Sequence, residues 1–323
     1  MKAIRYHHIG GPEVLRLEDV PEPELGPGEV RLQVHAAGVN FADTERRRGL
    51  YDTKVPLPRI LGSEAAGVVR AVGPGVDEAL LGRRVVTLTT SCYAEFVKAP
   101  ASGLVALPDN VSFEVAAAVP VQGLTAYHLL NTVARVQQGQ SVLVHAAAGG
   151  VGVLAVQLAK ALGARVFGTV SSEAKARLVR ELGADEVIRY DREDVVAEVH
   201  RRTGGGGVDL VLDAVGASTW GASLRVLAPF GHLVSYGSAS GPPPAVDVEA
   251  LYEKSLKVSA YWLHTPHPPG SHHRALESLI RDVADGRLRI LIGLKLPLAE
   301  ATEAHRRLEG RETVGKVVLT VAG

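Results

Sequence analysis

From about position 140 the chain alternates between short apolar runs and longer segments with helical periodicity. The runs are VLVHA from 142, ARVFGTV from 164, EVIRY from 186, VDLVLDAVG from 208, GHLVSYG from 231 and LKVSAYW from 256, so their starts recur every 22 to 25 residues. That interval holds one strand and one crossover helix. The intervening GVLAVQLAKALG, SEAKARLVRELG and GASTWGASLRVLAPF suit helices, the first two ending in glycine as helices often do. The runs are continuously apolar rather than alternating, the mark of strands buried on both faces. They predict a six-stranded parallel sheet covered by helices on both sides and built as two βαβαβ halves.

The first 120 residues follow another pattern. Short strands (VRLQVHAAG, EAAGVVRAVG, RRVVTLT, YAEFVKAP) are separated by turns such as ELGPGEV, VGPGVD and ALPDNVS, which predicts an antiparallel barrel or sandwich. After Trp262 the chain runs through HTPHPPGSHH, makes an amphipathic helix from about Arg274 to Asp285, and ends in a helix and a strand. The expected organisation is a barrel-like domain made from both chain ends, 1–122 and 264–323, with the parallel-sheet domain, 123–263, inserted between them. A cleft between two such domains is where a ligand is expected.

Composition narrows the function classes. The 323 residues are 46% hydrophobic, and 35 Lys plus Arg balance 35 Asp plus Glu. This gives neither the basic footprint of a nucleic-acid binder nor a polybasic membrane anchor, so small-molecule partners are expected. The N-terminus reads as strand and turn with no signal-peptide core, and a cytoplasmic location is the expectation. Cys92 is the single cysteine; it excludes an internal disulfide and a Cys-rich zinc lobe, and is expected to be a small packing residue.

The uncharged stretch VLVHAAAGGVGVLAVQLA (142–159) has the hydropathy of a membrane span, but GG in its middle and a strand following at once argue against one. At the head of six evenly spaced units, AAAGGVG is instead the turn from first strand to first helix. Against G-x-G-x-x-G it sets Ala147, Gly149 and Gly152 at the three glycine positions. Gly149 lets the backbone approach a pyrophosphate, Gly152 lets the helix pack on the strand, and the helix N-terminus offers free N–H groups. About 20 residues past such a motif an acid usually receives the ribose hydroxyls of NAD. Here the strand ends Thr169-Val170-Ser171-Ser172 without one. Ser171 can donate to a 2′-phosphate, Lys175 adds a positive charge one helical turn later, and Tyr190 at the end of the third strand can cover the adenine; the expected cofactor is NADPH.

Around Asn40 the sequence runs AAGVNFADTERRRGLY, then LGSEAAGVVRAVG. Here nearly the whole chain resembles the medium-chain dehydrogenase/reductase superfamily, which implies a GroES-like β-barrel catalytic domain plus an inserted Rossmann domain. Zinc alcohol dehydrogenases of that superfamily carry a cysteine where this chain has Asn40 and a His-Glu pair where it has Ser63-Glu64. Without thiolate or imidazole, no catalytic zinc is expected.

The chain more closely resembles the zinc-independent quinone oxidoreductases, the zeta-crystallin-like branch, through N-F-A-D at 40–43, G-L-Y at 49–51, G-S-E-A-A-G at 62–67, V-Q-G-L-T-A-Y at 121–127, A-A-A-G-G-V-G at 146–152 and S-S-E-A-K with the later Tyr190. The resemblance implies that Asn40 and Tyr51 line the site beside the nicotinamide, with Gln122 and Thr125 near it and its ribose. It implies Gly149, Gly150 and Val151 at the pyrophosphate, Ser171, Lys175 and Tyr190 at the 2′-phosphate end, Ser235, Tyr236 and Gly237 at the carboxamide, and Arg311 as a cationic cofactor contact. Glu45 departs from relatives that have an aromatic there. A homodimer is also implied.

Hydride transfer to a quinone, or to the β-carbon of a conjugated carbonyl, leaves an oxyanion or enolate to be neutralised. Tyr51 is the expected hydrogen-bond or proton donor and the Asn40 amide a positioning group; the spacing of 40, 43, 49 and 51 also resembles enoyl-thioester reductases, in which the equivalent tyrosine acts as acid. NADPH:quinone reduction is therefore expected, with reduction of an enal, enone or enoyl thioester as one alternative and a non-catalytic NADPH-binding role as another. Asp43 and Glu64 are expected to pair with a nearby cation or backbone amide, Arg46 to Arg48 to form a solvated face, and His264, His267, His272 and His273 to lie in a solvated connection.

Overall fold

The computed structural model describes residues 1–51 and 56–321. It divides into two compact units, Met1–Leu124 with His267–Gly323, and Thr125–Pro266.

In the second unit the six apolar runs form one wholly parallel sheet. Its strands are Ser141–Val144, Arg165–Val170, Glu186–Arg189, Val208–Asp213, Leu227–Ser235 and Lys257–Ala260, arranged in the order third, second, first, fourth, fifth, sixth. The order reverses beside the first strand, where doubly wound sheets open a crevice at the strands' C-terminal ends. Leu143, Phe167, Ile188, Val211 and Leu233 are fully buried, as strands packed on both faces require. One element differs from expectation. The helix read over 216–230 is confined to Trp220–Arg225, and the fifth strand begins at Leu227, because Leu227 already pairs with Val208 before an irregularity resets the register at Leu210 and His232.

The first unit holds a seven-stranded, mostly antiparallel sheet and a small three-stranded one. The long strand Glu29–Val39 lies at its centre, with Glu64–Val72 on one side and the C-terminal Lys316–Thr320 on the other. That register sets the site: Val39 faces Val317 and Ala37 faces Ala65, so Asn40, just past the strand end, lies between Lys316 and Glu64. The strand Ile292–Pro297, parallel to Lys316–Thr320, has no counterpart in the sequence reading. The helix expected from Arg274 begins at Ser271, taking His272 and His273 into its first turn, and the His267 and His272 rings meet edge to face at 4.3 Å. No helix among the described residues is long and apolar enough to cross a membrane.

Candidate active site

Asn40 caps the short helix Phe41–Arg47, and its backbone N–H donates to Asp43 Oδ2 at 2.9 Å. The side chain is held at both ends. Its Oδ1 accepts from Lys316 Nζ at 2.7 Å and its Nδ2 donates to Glu64 Oε1 at 2.7 Å. Lys316 Nζ also donates to Glu64 Oε1, and the other Glu64 oxygen accepts the Val121 N–H at 2.7 Å. Asn40, Glu64 and Lys316 are all buried, so this is an ion pair taken out of water with its lone pairs satisfied, the condition under which such a pair is tolerated. Gly38 makes room for it, since a Cβ there would fall 2.3 Å from Glu64 Oε1.

A second ion pair adjoins the first. Arg46 Nη1 donates to Asp43 Oδ1 and to Ser63 Oγ, both at 3.0 Å. Tyr93 donates its hydroxyl to Asp43 Oδ2 at 3.1 Å, and burial together with the Asp43 charge pushes its phenol well up. His305 Nε2 lies 3.4 Å from the Tyr93 hydroxyl; burial and the nearby Arg47 bring its pKa down to about 3, so it is neutral. Asp43 and Glu64 thus pair with cations and backbone amides. Two of the three arginines correct the expectation of a solvated face, Arg48 alone being exposed: Arg46 is 9% exposed and Arg47 0%, the latter bound to Glu309 at 2.5 Å. The helix carrying them turns one face inward, where Asp43, on the same helix, and the partly buried Glu309, from a distant segment, receive the two guanidinium groups, and periodicity in a charged run does not reveal this. Glu45 is half-buried, and desolvation pushes its carboxyl up. Cys92 is buried, with its thiol pushed well up by burial.

Zinc does not fit this arrangement. Positions 40 and 63 offer an amide and a hydroxyl, and Glu64, the one carboxylate of the set, already receives the Lys316 ammonium, while Arg46 donates to Ser63. A divalent ion at these positions would meet two fixed cations and neither thiolate nor imidazole.

Tyr51 is half-buried, and the Arg46 guanidinium carbon lies 4.6 Å from its ring centroid. Gln122 and Thr125 lie three residues apart on the helix Pro120–His128, Thr125 buried and Gln122 half-buried. Arg311 is exposed and adopts φ 58° in the turn after the helix Ala301–Glu309.

In the second unit the AAAGGVG turn joins the first strand to the helix Gly150–Ala161, with Gly149 at its N-cap and no side-chain cap among the described residues. The first-turn N–H groups and the positive end of the helix dipole suit a pyrophosphate. A Cβ on Gly152 would lie 2.4 Å from the Ala146 carbonyl oxygen and 2.8 Å from Ala147, so only glycine allows this close approach. The left-handed residue of the turn is Ala146, at φ 51°, one position before the alanine that aligns with the first glycine of the motif. Sequence reading missed what lies beneath. His145 Nδ1 meets Thr169 Oγ1 at 3.0 Å and its Nε2 meets Ser223 Oγ at 3.1 Å; Ser223 donates to Asp213 Oδ2 at 2.8 Å. Burial lowers the pKa of His145. This chain of side chains ties together the ends of three strands under the turn; the signal available was a histidine inside an apolar strand.

Lys175 Nζ lies 3.5 Å from Ser171 Oγ, Ser172 caps the second helix through the Lys175 N–H at 3.3 Å, and Tyr190, half exposed, donates its N–H to the Val170 carbonyl. Ser171, Lys175 and Tyr190 therefore gather at adjacent strand ends with no carboxylate in the strand-end residues 169–172. Ser235, Tyr236 and Gly237 follow the fifth strand; the Tyr236 N–H donates to the Asp213 carbonyl at 2.9 Å, and a Cβ on Gly237 would be 3.0 Å from the Ala214 oxygen.

Comparison with known proteins adds to this geometry. Residues 26–109 match the family model described as an alcohol dehydrogenase GroES-like domain, and residues 150–280 one described as a zinc-binding dehydrogenase. A quinone oxidoreductase of Pseudomonas aeruginosa is 44% identical over 322 residues, 98% of this chain and 99% of its own. A 2-haloacrylate reductase of a Burkholderia species is 39% identical, over 97% of each chain. The crystal structure of Escherichia coli quinone oxidoreductase complexed with NADPH superposes with a TM-score of 0.94 at 38% identity, covering 99% of this chain and 100% of that one.

Proposed function

We propose, from the premise that this chain belongs to the quinone oxidoreductases of the medium-chain dehydrogenase/reductase superfamily, that it is an NADPH-dependent, zinc-free oxidoreductase passing hydride to a quinone. The observation that carries the reading is the buried Asn40–Glu64–Lys316 cluster: the position where zinc relatives set a Lewis acid is filled by a charge-balanced set with no opening for a metal. Such a site suits acceptors that accept hydride without one.

NADPH, when bound, supplies the hydride. Gly149, Gly150, Val151 and the helix dipole hold its pyrophosphate. Ser171 and Lys175 meet the 2′-phosphate and Tyr190 the adenine, a site lacking the carboxylate that would repel a third phosphate. Ser235, Tyr236, Gly237, Gln122 and Thr125 orient the nicotinamide end, and Arg311 adds a cationic contact. Asn40, pinned at both ends of its amide, keeps one N–H for the bound molecules. Tyr51 donates a hydrogen bond or proton to the oxyanion of the acceptor and regains the proton from solvent.

The 2-haloacrylate reductase relative favours one second reading, hydride delivery to the β-carbon of a conjugated carbonyl, for which the same donor serves the enolate. A cytoplasmic location belongs to the same reading. So does a homodimer, supported by the edge strand Lys257–Ala260, which pairs on one side with Leu227–Ser235 and is followed by the half-exposed Trp262.

The test is a cofactor-oxidation panel of NADPH and NADH against quinones, alkenals and enoyl thioesters. Quinone turnover with NADPH well ahead of NADH is expected; tight NADPH binding with no acceptor reduced would sink the enzymatic reading, and equal use of NADH the roles of Ser171 and Lys175.

A further inference from the structure

Arg46 takes no part in cofactor binding or hydride transfer as described, yet it is buried and fixed. Its Nη1 donates to Asp43 and Ser63, and its guanidinium lies against the face of the Tyr51 ring, 4.6 Å from guanidinium carbon to centroid. Asp43 is itself immobilised by the Asn40 N–H and the Tyr93 hydroxyl, so the cation cannot swing away with a flexible side chain. A planar guanidinium held on an aromatic face is attracted by the ring quadrupole, more strongly where water is excluded. For a phenol there is a chemical consequence: a fixed positive charge beside the ring favours the phenolate over the phenol, so the O–H becomes the stronger donor.

We propose that Arg46 is a positioning residue for the reaction: braced by Asp43 and Ser63, it orients the Tyr51 ring and makes its hydroxyl a better hydrogen-bond and proton donor to the reduced acceptor. This rests on the reading of Tyr51 as that donor. Among the described residues, the surrounding groups do not duplicate the effect. Glu64 is matched by Lys316. Glu45, with Arg48 and Arg46 nearby, has its carboxyl pushed up by burial. Tyr6, which feels Arg59, Arg46 and Asp43, and Tyr93, beside Asp43, have phenols pushed up by burial, and His305 is neutral. Among the described residues, Arg46 is the cation on the face of the Tyr51 ring.

The experiment combines turnover with a direct view of the phenol. Protein labelled with ¹³C at tyrosine Cζ is titrated by NMR, with the Tyr51 signal assigned by its loss in Y51F. The variants are R46M, R46K and the double variant D43N/R46M, which leaves no buried carboxylate unpaired if R46M alone fails to fold. In R46M or D43N/R46M the Tyr51 titration is expected at higher pH than in the wild type, with kcat for NADPH and a benzoquinone down about tenfold. NADPH binding, read by fluorescence, should stay within about twofold, because no cofactor contact is removed. R46K, keeping charge without the planar face, should fall between. An unchanged Tyr51 titration in a folded charge-free variant overturns the inference. If the titration moves but Y51F turns over like the wild type, the Arg46 effect on Tyr51 stands and the reading of Tyr51 as donor fails.

Discussion

Glu64 in the barrel unit and Asp213 in the dinucleotide unit are both fully buried carboxylates near the ends of sheet strands. Glu64 is neutralised by an ammonium, Lys316, on the neighbouring side of the sheet. Asp213 is held by uncharged donors instead; it accepts from the N–H groups of Val215 (2.7 Å) and Gly216 (3.1 Å) and from the hydroxyls of Thr219 and Ser223. The first arrangement balances charge with a buried cation. The second fixes strand ends without placing a cation under a turn suited to an anion. The two units therefore bury a carboxylate by different means, one with a counter-charge beside Asn40 and one with oriented dipoles beneath the AAAGGVG turn.

Breaking the ion pair on one side tests the difference most sharply. Glu64→Leu leaves the Lys316 ammonium buried without a counter-charge and should cost about 3–5 kcal/mol in denaturant unfolding, whereas E64L/K316M, which removes both charges, should recover most of that loss. Equal costs for the single and double variants would show that the pairing is immaterial. Asp213→Asn is expected to cost about 1.5–3 kcal/mol, since it weakens several charge-assisted bonds but strands no cation. No charge-removing second-site change should rescue it, because the partners of Asp213 are backbone N–H groups and hydroxyls that carry no charge.

A pH series separates the buried histidines from bulk titration. Folded His305 stays neutral down to about pH 3 against an ordinary value of 6.5, and His145 is shifted in the same direction. Between those limits the unfolded chain binds more protons than the folded one, so stability is full above about 6.5 and is lost as pH falls. The slope should reach about 1.4 kcal/mol per pH unit for His305, with His145 adding in the same direction, and His305→Gln should flatten it. A pH-independent unfolding free energy between about pH 7 and 4.5 would contradict the burial of both rings. The smallest effect is at the surface: Lys175→Gln should weaken NADPH binding a few-fold, as for a solvent-screened ion pair, and leave NADH binding unchanged, measured by titration calorimetry at fixed ionic strength.

The parallel sheet was legible because strands buried on both faces write themselves as unbroken apolar runs, and because a pyrophosphate turn needs small residues at fixed spacing. Helix limits were less legible: Leu227 reads as helix by local propensity, whereas its pairing with Val208 is set by a neighbouring strand. The candidate site was legible as residue types at Asn40, Tyr51, Ser171 and Lys175. It was not legible as a network, and the arginine triplet shows why, since an inward-facing cation and a solvated one look alike in a charged run.

By itself, then, the sequence determined the six apolar runs of the parallel sheet, the AAAGGVG turn after the first of them, and that thiolate and imidazole are missing from positions 40 and 63. Tertiary structure alone decided that Lys316, 276 residues from Asn40 and 252 from Glu64, closes the barrel site, and that Arg46 turns inward against Tyr51. Periodicity reports which face of an element is buried. Which strands become neighbours, and so which charges meet out of water, is fixed only when the whole sheet closes its register.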